Sequence, residues 1–126
     1  MSIKFIITPY DPNFWETTSS DLQINMEEFK TNFLSKWKDA TIRNTPKGGL
    51  LWSIPEAGSA GFYGEVQSNK QVATFGPGNW TLYKDFVLWY RKQIPQKYEL
   101  HLFTSSSMES LVISSNTTQD DIEQFF

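Results

Sequence analysis

His101 is the only imidazole in the chain and the first residue to consider for acid–base chemistry. It lies two positions after Glu99 in an alternating segment, so both side chains fall on one face of a predicted strand. A carboxylate beside an imidazole can tune it as a general base. The polar face of a sheet explains the pair without catalysis, and this interpretation is favoured. Glu99 and His101 are kept as an alternative polar site. A Ser–His–Asp arrangement stays open, although no Gly-x-Ser-x-Gly motif is present.

Other residue types that carry chemistry are scarce. The chain has no Cys, which excludes thiol nucleophiles and Cys-based zinc sites, and one His excludes a site built on several imidazoles. The glycine-rich stretch 76–78 lacks the Lys-Ser/Thr of a phosphate-binding loop. The carboxylate pairs at 27–28 and 120–121 begin predicted helices, where capping and the helix dipole account for them. The sequence therefore assigns no catalytic residue, no metal and no cofactor.

Aromatic side chains are the candidates for contact with a partner. Trp89 and Arg91 lie close together in a predicted helix, and Trp, Tyr and Arg dominate the energetics of protein interfaces. The helical periodicity leaves Trp89 open between core and contact. Phe14 and Trp15 belong to a long irregular stretch, 9–23, where apolar side chains must cover either the core or a partner. Phe14, Trp15, Trp89 and Arg91 are therefore the predicted partner-binding residues.

Charge is distributed unevenly along the chain. Lys and Arg number 11 against 14 Asp and Glu, which makes the net charge −3. Segments 30–47 and 84–97 carry net charges of +4 and +3, whereas segments 1–29 and 98–126 carry −4 and −5. A nucleic-acid binder must neutralise phosphates, so a net negative chain predicts no nucleic-acid partner. The basic segments are interpreted as solvated helix faces.

The N-terminal segment has only a short apolar stretch after Ser2, which is too short for a secretory signal. No window approaches the roughly 18 apolar residues of a membrane span. The sequence therefore predicts a cytoplasmic protein with no membrane partner.

The first predicted element is a strand over 3–8, where β-branched and aromatic residues precede a proline. The first helix has the clearest signal, because Met26, Phe29, Phe33 and Trp37 make one apolar face at 3–4–4 spacing. Asn25 suits the N-cap position of that helix, which is expected to end near Lys38.

The rest of the chain alternates runs of short strands with helices. Four strands are predicted over 40–43, 50–54, 60–67 and 71–75, and their short connections favour an antiparallel meander. A second helix is predicted over 79–93 and strands over 98–102 and 108–114. A short terminal helix, capped by Thr117 or Thr118, completes the chain. The order β-α-ββββ-α-ββ-α predicts an α+β fold with a mostly antiparallel sheet of five to seven strands and helices packed on one face. Residues 1–126 are predicted to form a single domain.

Several segments of the second half resemble small uncharacterised bacterial proteins, including immunity-like proteins of toxin systems. The segments are Gly61-Phe62-Tyr63-Gly64-Glu65-Val66, Phe86-Val87-Leu88-Trp89-Tyr90-Arg91, Ile94-Pro95, Tyr98-Glu99-Leu100-His101-Leu102-Phe103, and Thr117-Thr118 before an acidic helix. The resemblance covers residues 50–126 and implies a cytoplasmic protein that acts by binding another protein. It carries over no catalytic residues. An acidic surface would suit a basic toxin, although the basic segment 84–97 departs from that picture.

The leading hypothesis is a small protein-binding module, of which an immunity-type inhibitor that occludes a toxin is one form. The alternative is a small-molecule-binding domain or an enzyme with a pocket between sheet and helices. Self-association through a strand edge or Trp89 is a third interpretation.

Overall fold

The computed structural model describes residues 4–10, 20–55, 61–76, 82–106 and 109–125. These residues form seven strands and three helices in the predicted order, so the structure confirms the α+β class. The elements are β1 Phe5–Thr8, α1 Met26–Lys36, β2 Thr41–Asn44, β3 Leu50–Ile54, β4 Phe62–Val66, β5 Ala73–Phe75, α2 Leu82–Gln93, β6 Leu100–Thr104, β7 Leu111–Ile113 and α3 Gln119–Phe125.

The strands join into one antiparallel sheet with the spatial order β2-β3-β4-β5-β1-β6-β7. Strands β2 to β5 form the predicted meander. Strand β1 lies between β5 and β6, so that Ile7 stands opposite Ala73 on one side and Leu102 on the other. The first strand of the chain therefore becomes a central strand of the sheet.

Helix α1 begins where the sequence predicts. The Asn25 side chain accepts a hydrogen bond from the Glu28 backbone N–H at 3.0 Å. This bond satisfies one of the backbone N–H groups of the first turn that have no partner within the helix. Met26, Phe29 and Phe33 are buried. The helix ends at Lys36, two residues before the predicted end.

The three helices pack on one face of the sheet, as predicted. From α2, Phe86 places its ring centroid 4.9 Å from that of Trp52 on β3 and 5.1 Å from that of Phe75 on β5. From α1, Phe33 reaches the same Trp52 ring at 5.8 Å. Helix α3 packs beside α2 and buries Ile122 in the same core. Full burial of a side chain of this size contributes about 1.5–3 kcal/mol, so this aromatic layer contributes substantially to stability.

Gly64 in β4 makes room for that layer. It stands directly opposite Trp52 and Phe75 in the neighbouring strands. A Cβ atom at this position would lie 2.6 Å from Trp52 Cζ2 and 2.7 Å from Phe75 Cβ, and it would also meet the Thr74 carbonyl oxygen. The Trp52 indole thus occupies the space that a side chain at position 64 would need.

The connection between β2 and β3 is a tight hairpin with a bulge. The Gly48 N–H donates to the Thr45 carbonyl at 3.0 Å, and the Thr45 N–H donates to the Gly49 carbonyl at 2.9 Å. Gly48 has φ +96°, the left-handed conformation that this kind of turn requires and that glycine adopts without strain. The turn sets the register of four consecutive residue pairs between β2 and β3.

Candidate functional site

The second face of the sheet, here called the open face, is a broad candidate surface. None of the three helices in the described ranges packs on it. Its side chains alternate along the strands with those that face the helices. Thr8 and His101 also belong to this face but are buried. The register aligns one row across six strands, formed by Arg43, Leu51, Glu65, Thr74, Ile6 and Phe103.

Two large apolar side chains are prominent on the open face. Tyr63 on β4 is 57% exposed, and Val112 on β7 is 47% exposed. The strands that carry them are four strand spacings apart, about 19 Å. Ile6 and Phe103 lie half-buried on the strands between them. Across all seven strands the face is about 29 Å wide. This is the width that a protein interface covers and is much wider than a small-molecule pocket.

The predicted polar pair does form, and it lies at the β7 end of the open face. His101 Nε2 lies 3.0 Å from Glu99 Oε1. His101 is buried, whereas the Glu99 side chain is 65% exposed. Thr8 and Val112 are the cross-strand neighbours of His101 on β1 and β7.

The structure adds a third polar group that sequence reasoning missed. His101 Nδ1 lies 3.3 Å from Ser110 Oγ, on the segment that leads into β7. With the proton on Nε2, the ring donates to Glu99 and its Nδ1 accepts from the Ser110 hydroxyl. A hydroxyl, an imidazole and a carboxylate that contact one another in this order are the parts of a hydrolytic triad. In serine proteases Nε2 faces the serine and Nδ1 the carboxylate, whereas here Nδ1 faces the serine and Nε2 the carboxylate. Only the pairing of β6 with β7 brings Ser110 to His101, so spacing along the chain gave no signal for it.

Arg91 is a structural residue in the folded protein. Its side chain is buried, with a relative exposure of 2%. The guanidinium donates to the carbonyl of Tyr98 at 2.8 Å, of Ile94 at 3.0 Å and of Pro95 at 2.8 Å. Burial lowers the pKa of Arg91, and the nearby Tyr90 hydroxyl opposes that shift. The sequence predicts Arg91 as a partner-binding residue, whereas in the structure its side chain is buried against the turn after α2.

Trp89 belongs to an aromatic cluster at the edge of the core. Its ring centroid lies 5.3 Å from Phe29, 5.1 Å from Trp37 and 5.8 Å from Phe86. It is half-buried and packs against the core. The cluster explains its aromatic character, and its predicted contact with a partner stays a prediction.

Phe14 and Trp15 lie outside the residues that the structure describes. The residues on either side of that stretch are tied together through Gln71. The Tyr10 hydroxyl donates to Gln71 Oε1, and Gln71 Nε2 donates to the carbonyls of Ser20 at 2.9 Å and Leu22 at 3.1 Å. One side chain on the β4–β5 connection therefore holds both the exit from β1 and the approach to α1. Sequence reasoning assigned Gln71 no such role.

A cleft of about 200 Å³ lies between the start of α1 and the end of α2. Leu22, Phe29 and Ile94 contribute apolar walls, and Asn32 and Gln93 contribute amides. These amides already pair with each other, since Asn32 Nδ2 donates to Gln93 Oε1 at 2.9 Å. The volume is below the usual range for a ligand site. The cleft also contains neither member of the predicted polar pair.

Metal and membrane features are absent from the described ranges. No group of three or more His, Asp or Glu side chains there is arranged to hold a metal ion. None of the helices in those ranges is both long enough and apolar enough to cross a membrane.

Comparison with known proteins identified no related protein. No protein-family model matches the chain, and no curated protein or solved structure resembles it significantly.

Proposed function

We propose that this protein is a protein-binding module that docks another protein on the open face of its sheet. One observation carries the proposal: the helices cover a single face of the sheet, and the other face carries both Tyr63 and Val112 exposed. Exposed large apolar side chains on a broad surface are typical of interaction sites. The width of the face favours a protein over a small ligand.

A capture experiment with matched variants tests this proposal. The tagged protein is incubated with lysate of its native host at low and at moderate salt. Tyr63→Asp and Val112→Asp place a charge on the open face, and we expect each to reduce capture of the partner by about tenfold or more, as for loss of an interface anchor. Leu34→Asp is the matched control, because Leu34 is 39% exposed on α1, away from the open face.

Comparison of the three variants distinguishes specific binding at the open face from nonspecific binding. Loss of capture in both open-face variants, with capture kept by Leu34→Asp, supports the proposal. A partner that all three variants retain equally contradicts it, as does the absence of any partner at either salt concentration. Melting temperatures of the variants show that each one is folded before its capture is compared.

The finer proposal is an immunity-type inhibitor that occludes a basic toxin in the cytoplasm of a bacterium. It rests on the resemblance of residues 50–126 and on the excess of acidic residues in 98–126. Asp120, Asp121 and Glu123 are exposed on α3, on the helix side of the sheet, and Glu123 pairs with Lys84 at 3.4 Å. Their charge would attract a basic partner at long range and would not contact it on the open face. Opposite charge speeds the encounter of such partners, so association should slow as the salt concentration rises.

A direct inhibition assay distinguishes this form from other protein binding. The captured partner is purified and its activity is measured with increasing amounts of this protein. An inhibitor abolishes that activity near a stoichiometric ratio. A partner that stays fully active when saturated would rule out inhibition while leaving protein binding intact.

Ester or amide hydrolysis is a second candidate function. It is supported by the contacts of His101 with Glu99 and Ser110, at 3.0 and 3.3 Å. In this proposal His101 Nδ1 takes the proton of the Ser110 hydroxyl as its oxygen attacks an acyl or phosphoryl centre.

A fluorophosphonate probe tests the second candidate. Ser110 Oγ would form a bond to phosphorus as fluoride leaves, and His101 would accept the hydroxyl proton. We expect labelling at Ser110 that disappears in Ser110→Ala and His101→Gln and persists in Ser53→Ala, an exposed serine on the same face. No labelling of the wild-type protein, or labelling that does not depend on His101, would exclude a catalytic serine.

A further inference from the structure

Strand β2 forms one edge of the sheet. Among the strands that the structure describes, in the order β2-β3-β4-β5-β1-β6-β7, β3 is its one neighbour. It pairs with β3 in regular register from Thr41 opposite Ser53 to Asn44 opposite Leu50. No proline or bulge interrupts these four pairs. The outer side of β2 is therefore a straight segment of main chain with the geometry for pairing with another strand.

The hairpin identifies the main-chain groups that face this edge. Hydrogen-bonded and non-hydrogen-bonded pairs alternate along an antiparallel ladder. The bond from the Thr45 N–H to the Gly49 carbonyl makes that pair hydrogen-bonded. The next hydrogen-bonded pair is Arg43 with Leu51. The N–H and C=O groups of Ile42 and Asn44 consequently point away from β3.

Basic side chains surround the same edge. Lys38 precedes β2, Arg43 lies within it and Lys47 lies in the hairpin turn, and all three are exposed. From α1, Lys30 Nζ reaches the Asn44 side-chain oxygen at 2.8 Å and also lies 3.9 Å from Glu27 Oε1, so Lys30 adds less net charge than the three exposed residues. Asp39 is the acidic residue of the 38–47 segment, whose net charge is +2.

The positive charge of the 38–47 segment determines which kind of strand can pair with the β2 edge. A second copy of the protein would bring its own Arg43 and Lys47 against the same residues, and like charges in adjacent strands destabilise pairing. An extended segment rich in Asp or Glu would instead meet opposite charges at both ends and in the middle of β2. The charges thus act against self-association and in favour of an acidic strand.

We propose that the edge of β2 binds an acidic, extended segment of another protein, which adds to the sheet as an eighth strand. Main-chain hydrogen bonds to Ile42 and Asn44 provide the pairing, and the surrounding lysines and arginine select for acidic sequence. This site does not include Tyr63 and Val112, the exposed side chains of the open face. Binding at the β2 edge therefore does not depend on the proposed docking at the open face.

A defined peptide probe tests the proposal on the intact protein. The probe is a fluorescent peptide of about six residues, the typical length of a strand, that alternates glutamate with valine. Its comparison peptide alternates lysine with valine. We expect the acidic peptide to bind, with an affinity that falls as salt is raised, and the basic peptide not to bind.

Amide hydrogen exchange gives the structural readout. Strand addition should slow exchange of the Ile42 and Asn44 amides by about tenfold or more at saturation, because those N–H groups gain acceptors. The amides of Arg43 and Val112 serve as internal references, since the first already faces β3 and the second lies on the opposite edge strand.

Variants separate charge selection from edge pairing. Arg43→Glu and Lys47→Glu should each weaken binding of the acidic peptide by about twofold to fivefold, as for loss of one exposed charge pair. Asn44→Pro removes an outward N–H at a position where an edge strand tolerates proline, and should abolish binding. Lys92→Glu, an exposed position on α2, is the matched control and should bind as the wild type does.

Any of three results would overturn the proposal: no binding of the acidic peptide, equal binding of both peptides, or binding without protection of Ile42 and Asn44. The first result would assign the basic residues to guarding the edge against aggregation. Melting temperatures show whether Asn44→Pro is folded, and the two charge variants keep the test valid if it is not. Peptide binding that persists in Tyr63→Asp distinguishes this site from the open face.

Discussion

At the position of Gly64, the absence of a side chain allows the aromatic rings of the core to pack against the sheet. The neighbours of Gly64 in the adjacent strands, Trp52 and Phe75, leave no space for a Cβ atom, and the Thr74 carbonyl closes the third side. Gly76, one residue after β5, has open space where its Cβ would lie. The two glycines therefore form a natural pair for testing whether packing or backbone freedom selects the residue.

We expect Gly64→Ala to lower the free energy of unfolding by about 1–3 kcal/mol, the usual effect of overpacking a core. Gly76→Ala should change it by about 0.5 kcal/mol or less, as is typical away from packed sites. Urea denaturation of both variants measures the difference. Equal effects at the two positions would show that Trp52 does not depend on the absence of a side chain at position 64.

Arg91 shows that residue type alone does not distinguish an interface anchor from a structural clamp. Its guanidinium satisfies three carbonyl groups in the turn that follows α2. Lysine carries the same charge but cannot direct donors to all three acceptors from one planar group. The loss of a partner in an Arg91 variant would therefore report damage to this turn before it reported a lost contact.

Arg91→Lys should destabilise the protein by about 1.5–3 kcal/mol, because at least one buried carbonyl loses a charge-assisted hydrogen bond. Lys92→Gln is the control, since Lys92 is the exposed neighbour on the same helix turn. Thermal or urea unfolding measures both variants. If Arg91→Lys proved as stable as the wild type, the clamp would not contribute to folding.

At the scale of elements, Gln71 connects segments that are distant in sequence. It lies on the connection between β4 and β5 and holds residues that follow β1 and precede α1. The backbone strengthens the same junction, because the Ile24 N–H donates to the Lys70 carbonyl at 2.9 Å. The approach to α1 is thereby fixed against the sheet before the helix begins.

Replacing Gln71 with Ala should lower stability by about 1–2 kcal/mol and speed exchange of the Ile24 amide, because side-chain hydrogen bonds to Tyr10, Ser20 and Leu22 are lost together. Gln67→Ala in the same connection is the comparison variant. Amide exchange that is unchanged in Gln71→Ala would mean that the backbone contact alone holds the junction.

The molecule as a whole should lose stability in alkali, and Tyr90 is the main reason. Burial raises the pKa of Tyr90, with a partial opposing effect from Arg91. Burial and the Glu123 carboxylate also raise the pKa of Tyr83. A tyrosine with a raised pKa in the folded state contributes stability that is complete below the unfolded pKa, near 10. That contribution is lost as the pH rises above this value, because the unfolded chain releases the proton first.

Tyr90→Phe isolates this effect. No polar group in the described part of the chain lies within hydrogen-bonding distance of the buried Tyr90 hydroxyl, so its removal should leave stability at pH 7 unchanged or raise it by about 1 kcal/mol. Above about pH 10 the variant should lose less stability than the wild type. The lowered pKa of Arg91 acts in the opposite direction. Removal of the Tyr90 hydroxyl also removes its opposing effect on the pKa of Arg91, and this change adds to the smaller alkaline loss expected for the variant.

Urea unfolding at neutral and alkaline pH provides the measurement, with Tyr63→Phe as the control at an exposed tyrosine. Parallel pH profiles for the wild type and Tyr90→Phe would contradict the assignment of the alkaline loss to Tyr90.

Local patterns in the sequence predict the helices, the strands and their order along the chain. The 3–4–4 spacing from Met26 to Trp37, the Asn25 cap and the alternating segments report local geometry that each stretch of chain carries alone. These local signals were sufficient for the α+β class, for the meander and for placing Glu99 and His101 on one face. They located the ends of elements to within a few residues.

Tertiary structure decided what depends on contacts between distant segments. Strand pairing placed β1 between β5 and β6, brought Ser110 to His101 and left β2 at an edge. The closing of the turn after α2 converted Arg91 from an expected contact into a buried clamp. These outcomes depend on which surfaces are buried together, and burial is a property of the packed chain that no local spacing encodes.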